Sequence, residues 1–257
     1  MLEKNFFLEK LKGGKPVLGT FVINPSIESV DIISSSGIDF LVVDSEHGPI
    51  SYETAQKMAI TCESRNVSPV MRVGNIDLCQ IQNALDIGMH GIQVPNINTI
   101  QDAANVIRFS KYPPKGIRGF SPFTRAGGYS IKNAKSLTLE SNKNIATVLN
   151  IEGIDAVRNF DEILTIDEVD IYFVGLFDLS KSLGIPGDTG NPLVLDKLIE
   201  IVYKVNKAGK FAGTIATSLD QINYFLNMGI KYLIYSVDCD VLRSAYAEIK
   251  NEFENIL

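Results

Sequence analysis

The stretch SIESVDIISSSG (26–37), followed directly by IDFLVVD (38–44), decides how the rest of the chain is read. Its first part is amphipathic at the helical period and closes on Gly37, the residue type best suited to end a helix. Its second part is a short apolar run rich in β-branched residues, the pattern of a strand buried on both faces. The same phrase of helix, glycine and strand returns in DLCQIQNALDIG (77–88) before GIQVP (91–95), and in SLDQINYFLNMG (218–229) before KYLIYSV (231–237). Working outward, the remaining strand-like runs are PVLGTFVI (16–23), SPVMRV (68–73), IATVLNIE (145–152), VDIYFVG (169–175) and KFAGTIA (210–216), which makes eight in all. Strands that alternate with helices pack as a parallel sheet covered on both faces. Eight such units in 257 residues predict an α/β fold, a closed (β/α)8 TIM barrel, with a doubly wound open sheet as the alternative.

Residues 111–144 break this rhythm, because KYPPKGIRGFSPFTRAGGYSIKNAKS (111–136) is rich in Pro, Gly and Arg and carries neither period. An irregular span of that length inside a compact fold is usually functional. No repeat beyond the βα unit, no low-complexity tract and no linker divides the chain, so a single domain is expected over 1–257. The 24 Lys and Arg against 30 Asp and Glu leave a net charge of −6 and no basic run, which argues against a nucleic-acid partner. No apolar stretch reaches the roughly 18 residues of a membrane span. MLEKNFFLEKLKGGKP (1–16) has no uninterrupted apolar core of a leader, so a cytoplasmic protein away from membranes is expected. Cys62, Cys79 and Cys239 are widely spaced, which suggests neither a disulfide framework nor a thiolate zinc site.

In a barrel of this kind, catalytic groups come from the C-terminal ends of the strands and the loops that follow them. Those ends carry Asp44-Ser45-Glu46-His47-Gly48-Pro49, Arg72, Asn150-Ile151-Glu152 and Gly175-Leu176-Phe177-Asp178. Glu152 and Asp178 stand on neighbouring strand ends with no basic residue beside them, and two such carboxylates repel unless a cation lies between. Ligation by oxygen alone suits Mg2+ or Mn2+. Plainer readings stand beside these. Asp178 can cap the helix that follows it, Arg72 can pair with a carboxylate across the barrel mouth, and His47 can be an ordinary loop residue. Convergence of the four on one mouth favours the functional reading.

Taken together, the segments DFLVVDSEHGP (39–49), VMRV (70–73), LDIGMHGIQVP (85–95), YPPKGIRG (112–119), NIE (150–152), GLFDLSKSLG (175–184) and SVD (236–238) resemble the HpcH/HpaI aldolase family. These are metal-dependent, class II pyruvate aldolases that include the 2-dehydro-3-deoxyglucarate aldolases, and the resemblance runs nearly end to end. It implies a lyase that reversibly cleaves a 4-hydroxy-2-oxo acid to pyruvate and an aldehyde through a metal-stabilised pyruvate enolate. Carried over by position, it makes Glu152 and Asp178 ligands of Mg2+, Mn2+ or Co2+, Arg72 the partner of the enolate oxygen and His47 the base. Asp86 would support that histidine from a neighbouring subunit, and Asp44 would assist it from within the chain. Asn150 and the segment Gly175, Leu176, Phe177 and Asp178 would bind substrate, with backbone N–H groups holding its carboxylate. Homo-oligomers, hexamers among them, are common in the family.

The chemistry agrees, since an enolate needs a Lewis acid and a cation in place before its charge develops. A Schiff-base mechanism needs a lysine at a C-terminal strand end, whereas Lys210 and Lys231 begin strands, which leaves a loop lysine such as Lys132 as the remaining candidate for it. Two departures bear on substrate choice. Leu176-Phe177 replaces Pro-Ala or Pro-Asn, which narrows the acceptor pocket, and Asn150 replaces a Gln of some relatives, which shortens its reach by a methylene. His90 precedes a strand and reads as structural, and Gly127-Gly128 follows no strand in a nucleotide-binding frame. Arg118 and Arg125 fit either an anionic aldehyde or a subunit interface. Oxaloacetate decarboxylation on the same site is the nearest alternative activity, and a catalytically silent barrel with a ligand-binding or assembly role is the alternative of another class.

Overall fold

A computed structural model of the chain describes residues 5–257, apart from the side chains of Asn133 and Lys135. Met1–Lys4, part of the stretch read above for a leader, lie outside the described residues. Each expected strand is present with slightly tighter bounds. They are β1 (Val17–Val22), β2 (Phe40–Asp44), β3 (Ser68–Arg72), β4 (Gly91–Val94), β5 (Ala146–Ile151), β6 (Ile171–Val174), β7 (Phe211–Ala216) and β8 (Tyr232–Val237). The helices of the first half are α1 (Phe6–Lys12), α2 (Ile27–Ser35), α3 (Tyr52–Ser64), α4 (Leu78–Asp86), α5 (Ile100–Ser110) and α6 (Ala134–Asn144). Those of the second half are α7 (Ile154–Arg158), α8 (Phe160–Ile163), α9 (Leu176–Ser182), α10 (Pro192–Lys207), α11 (Leu219–Asn227) and α12 (Asp238–Ile256). All neighbouring strands pair in parallel, and β8 returns to β1 to close the barrel. The open-sheet alternative is thereby excluded.

Local chemistry accounts for the helices that frame the barrel. Ser26, Asp77 and Ser218 accept the backbone N–H groups of Ser29, Gln80 and Gln221, which otherwise have no partner at a helix start. Gly37, Gly88 and Gly229, just past the same three helices, take positive φ values, the left-handed turn that ends a helix. The span 111–144 is less irregular than expected. It finishes in a 3-10 turn at Ile131–Asn133 and in α6, whose sequence AKSLTLESNKN forms a helix without an apolar stripe, so no period announced it.

Inside the barrel, alternation decides which side chains meet. Phe21, Phe40, Val42, Val70, Val148, Phe173 and Tyr232 point inward into one cluster, while Leu41, Val43, Met71, Leu149 and Val174 face the helices in a second. α1, which the sequence pattern did not announce, buries Phe7, Leu8 and Leu11. Phe7 lies 5.3 Å from the Phe40 ring and 5.9 Å from Tyr232, so α1 stoppers the N-terminal end of the barrel. The Phe40 and Tyr232 rings stack at 4.4 Å. Gly19 makes room for them, since a Cβ there would stand 2.3 Å from Cε2 of Phe40. α12 is different: none of its 19 residues is buried, and Leu242, Tyr246, Ile249 and Phe253 are exposed. Beside its first turns a groove of about 840 Å3 runs between α2, α11 and α12, lined by Ile32, Ile33, Ile222, Leu242 and Tyr246.

Gly19→Ala is therefore expected to destabilise the protein by about 1–3 kcal/mol, the usual cost of forcing a methyl into a packed core. Chemical denaturation read by circular dichroism measures it, and an unchanged midpoint would mean that the Phe40 ring moves aside freely.

Candidate active site

The parity that turns Phe40 and Val42 inward also turns Asp44 inward at the end of β2, and Val70 does the same for Arg72 on β3. Val148 brings Asn150 to the inner face of β5, with Glu152 just beyond the strand. Expected residues of three strand ends, those of β2, β3 and β5, thus reach one mouth.

Asp44 is 1 % exposed and holds Arg72 with both oxygens, Nε donating at 2.9 Å and Nη2 at 2.6 Å. Such a two-point bond fixes the plane of a guanidinium. Nη1 lies 3.3 Å from Oε2 of Glu46, and the group sits 4.5 Å above the Phe21 ring. Burial, the largest influence, pulls the Arg72 pKa down, but the hydrogen bond and charge of Asp44, with Glu46 and Glu152, more than reverse it. Oδ1 of Asp44 also accepts the backbone N–H groups of Glu46 at 3.0 Å and His47 at 3.4 Å. The help expected from Asp44 therefore reaches the His47 backbone and Arg72 rather than the imidazole, which is exposed on the rim.

Glu152 is 8 % exposed; its Oε1 accepts the Asn96 N–H at 2.7 Å and its Oε2 the Asn150 side-chain N–H at 3.1 Å. Burial above all pushes its carboxyl above the ordinary range, and the charges of Asp178 and Glu46 add to this against the Asn96 N–H. Glu46 is raised in the same way, by burial first and by Asp44 and Asp178 after it, while Arg72 and His47 oppose. Three carboxylates, Glu46, Glu152 and Asp178, therefore sense one another beside an Arg72 already paired with Asp44. This excess of negative charge fits a cation. Among the described residues no three His, Cys, Asp or Glu side chains gather closely enough to enclose an ion. Two carboxylates with open positions match how Mg2+ is usually held, with water and substrate completing its shell.

Asp178 lies in the first turn of α9, where Gly175 is the N-cap and no side chain caps the helix. The plainer reading of Asp178 as a cap therefore does not apply. Gly175 is required by proximity, since a Cβ there would meet Oε2 of Glu152 at 2.8 Å. Leu176 sends its side chain into the outer core, leaving only its backbone for a ligand, and Phe177 is 50 % exposed. Asn150, expected to touch substrate, is wholly buried. Its Oδ1 accepts from Gln93 at 2.9 Å and its N–H faces Glu152.

Asp86 ends α4 and is bonded by Nη2 of the buried Arg118 at 2.6 Å. Glu63, at the end of α3, binds Arg125 and lies 2.8 Å from Nε2 of His90. Helices here return to the N-terminal ends of the strands, so these pairs pin the 111–130 segment to the face opposite the mouth. Within one chain, Arg118 and Arg125 are thus engaged by Asp86 and Glu63, Asp86 is remote from His47, and His90 is structural as expected.

Sequence reasoning passed over Glu46, Gln93 and Asn96. Parity with Asp44 was a usable sign for Glu46, and a lone polar residue in the strand GIQVP was one for Gln93. Asn96 acts through its backbone N–H, at a positive φ of 59°, which no side-chain pattern reveals.

An eight-stranded barrel with charged side chains gathered at the C-terminal mouth defines the class, a TIM-barrel enzyme. The HpcH/HpaI aldolase/citrate lyase model matches residues 18–245, and the chain belongs to that family. It is 28% identical to a 4-hydroxy-2-oxo-heptane-1,7-dioate aldolase of Shigella flexneri over 253 residues, 98% of this chain and 94% of that one. It resembles the crystal structure of an HpcH/HpaI aldolase from Desulfitobacterium hafniense DCB-2 at 27% identity, with a TM-score of 0.91 over 97% of this chain and 96% of the other. The citrate synthase SbnG is also similar, at 27% identity and a TM-score of 0.87 over 96% and 97% of the two chains.

A carboxyl whose folded-state pKa exceeds its unfolded value costs stability as pH rises through that folded pKa, and costs nothing below the unfolded one. Glu46→Gln should therefore raise the melting temperature of chelator-treated protein at pH 7.5, with the gain vanishing near pH 4. Thermal scans across that range measure it, and no gain at pH 7.5 would mean that Arg72 already compensates the carboxylate.

Proposed function

We propose that the chain is a divalent-cation-dependent lyase that reversibly cleaves a 4-hydroxy-2-oxo acid to pyruvate and an aldehyde. The observation that supports this most is the cluster of mutually repelling carboxylates, buried Glu152 with the partly exposed Glu46 and Asp178, next to an arginine clamped by Asp44. Glu152 and Asp178 hold the cation, Mg2+, Mn2+ or Co2+, which when bound supplies Lewis acidity toward the keto and carboxylate oxygens of the 2-oxo acid. Arg72 meets the oxygen on which enolate charge develops, already oriented and therefore without reorganisation. The uncapped N–H groups at the start of α9 receive the substrate carboxylate. His47 takes the proton of the 4-hydroxyl as the C3–C4 bond breaks and the aldehyde leaves; protonation at C3 then gives pyruvate. In the reverse direction it removes a methyl proton from pyruvate. Phe177, half-exposed where the aldehyde enters, limits its size.

With Mg2+ or Mn2+, the protein should exchange pyruvate methyl protons in deuterated water, followed by proton NMR. Chelation and Glu152→Ala should abolish exchange, and Arg72→Lys should slow it by about a hundredfold, the scale of losing one oriented donor. Absence of exchange with every divalent ion would favour the silent barrel, and turnover of oxaloacetate without any aldehyde reaction would favour the decarboxylase.

We further propose a homo-oligomer, on the scale of the hexamers of the family, in which a second copy covers the apolar face of α12. Large unburied side chains along one helix support this, since such a patch seldom faces water in a monomer. Asp86, remote from the His47 of its own chain, serves a neighbouring copy. Three free cysteines accord with a reducing, cytoplasmic setting. Light scattering should give a multiple of 28.3 kDa, and Leu242→Asp with Phe253→Asp should lower it. A monomeric wild type would refute the assembly.

A further inference from the structure

A line of polar side chains crosses the barrel interior below the carboxylates. The Tyr232 hydroxyl lies 3.5 Å from Oε1 of Gln93, Nε2 of Gln93 donates to Oδ1 of Asn150 at 2.9 Å, and Nδ2 of Asn150 donates to Oε2 of Glu152 at 3.1 Å. Gln93 and Asn150 are both 0 % exposed, so water cannot stand in for a missing partner.

The direction of this line is determined from its upper end. Asn150 turns its side-chain N–H to Oε2 of Glu152, which leaves its carbonyl oxygen facing downward. That oxygen needs a donor, which Gln93 supplies with its N–H, leaving the Gln93 carbonyl for a phenol. Burial raises the Tyr232 pKa far above the usual phenol range, so its hydroxyl stays a donor. Reversal of the Asn150 amide would set two acceptors against each other at Glu152 and two donors at Gln93. Gln93 makes that reversal unfavourable, although it lies beneath Asn150 and reaches no ligand.

We propose that Gln93 is a positioning residue for Glu152. By donating to Asn150 it fixes which face of that amide meets Glu152, and so holds the carboxylate in one orientation under the mouth. The consequence for cation binding rests on the proposed role of Glu152, but the coupling itself does not.

Gln93→Met keeps the length and packing and removes the donor; Gln93→Glu keeps the shape and offers an acceptor instead. Both should weaken Mn2+ binding, read by titration calorimetry, about tenfold, the scale for groups that stand behind metal ligands. A second, metal-free readout is a thermal cycle of Gln93→Met with Glu152→Gln, whose neutral amide accepts either face of Asn150. The melting-temperature loss from Gln93→Met should be at least halved in the Glu152→Gln background, although residues 93 and 152 do not touch. Additive losses with unchanged Mn2+ affinity would overturn the inference and leave the aldolase reading intact. A wild type that binds no Mn2+ but shows the coupling would overturn the cation and keep the inference. Should Gln93→Met fail to fold, Gln93→Asn, one methylene shorter, enters the same cycle.

Discussion

Carboxylates set on top of an apolar interior need compensation, and the mouth of this barrel is built around that requirement. Below it, Phe21, Phe173, Phe40 and Tyr232 fill the space inside the strands and exclude water. Charges placed above such a floor are poorly solvated, so each must find a donor or a cation. Asp44 finds Arg72 and two backbone N–H groups. Glu152 finds the Asn96 N–H and the Asn150 amide, which lessen its cost without cancelling it. Among the described residues Glu46 has only the third nitrogen of Arg72 at 3.3 Å and Asp178 only Lys181 at 3.5 Å, so both still repel it. A site in this state is electrostatically unfinished, and unfinished charge is how a protein stores affinity for a ligand of the opposite sign.

Rigidity comes from the other face. The 111–130 segment is held by Arg118 on Asp86 and Arg125 on Glu63, with Lys111 donating to the carbonyl oxygens of Asn142 and Ile145. These groups close the N-terminal end of the barrel together with α1. Stability and reactivity are thereby separated along the barrel axis, so tight ion pairing at one end does not neutralise the open carboxylates at the other.

Most of the architecture was legible because it is written in local periods. Strand-like runs recur eight times, three of them after a helix closed by glycine, and the strand-end rule then points to Asp44, Arg72, Glu152 and Asp178. α6 and α1 were not legible, for different reasons. α6 has no apolar stripe to reveal it, and α1 is short, with its apolar residues aimed into the barrel end rather than against a neighbouring helix. Asn150 shows the limit more sharply. Its place at a strand end suggested contact with substrate, yet the geometry turns it against Glu152 because Gln93, far away in the chain, supplies the donor its carbonyl needs.

By itself, the sequence determined the eight-unit barrel, the family, and which acidic and basic side chains stand at its mouth. Those properties follow from spacing along the chain and from side-chain parity within a strand, and both are local. Tertiary structure alone decided the partners: Asp44 with Arg72, Gln93 with Asn150, and Arg118 with Asp86. Each of these bonds joins residues from different strands, helices or loops, so its existence depends on how neighbouring strands register and how the 111–130 segment packs on α4, which no window of sequence contains.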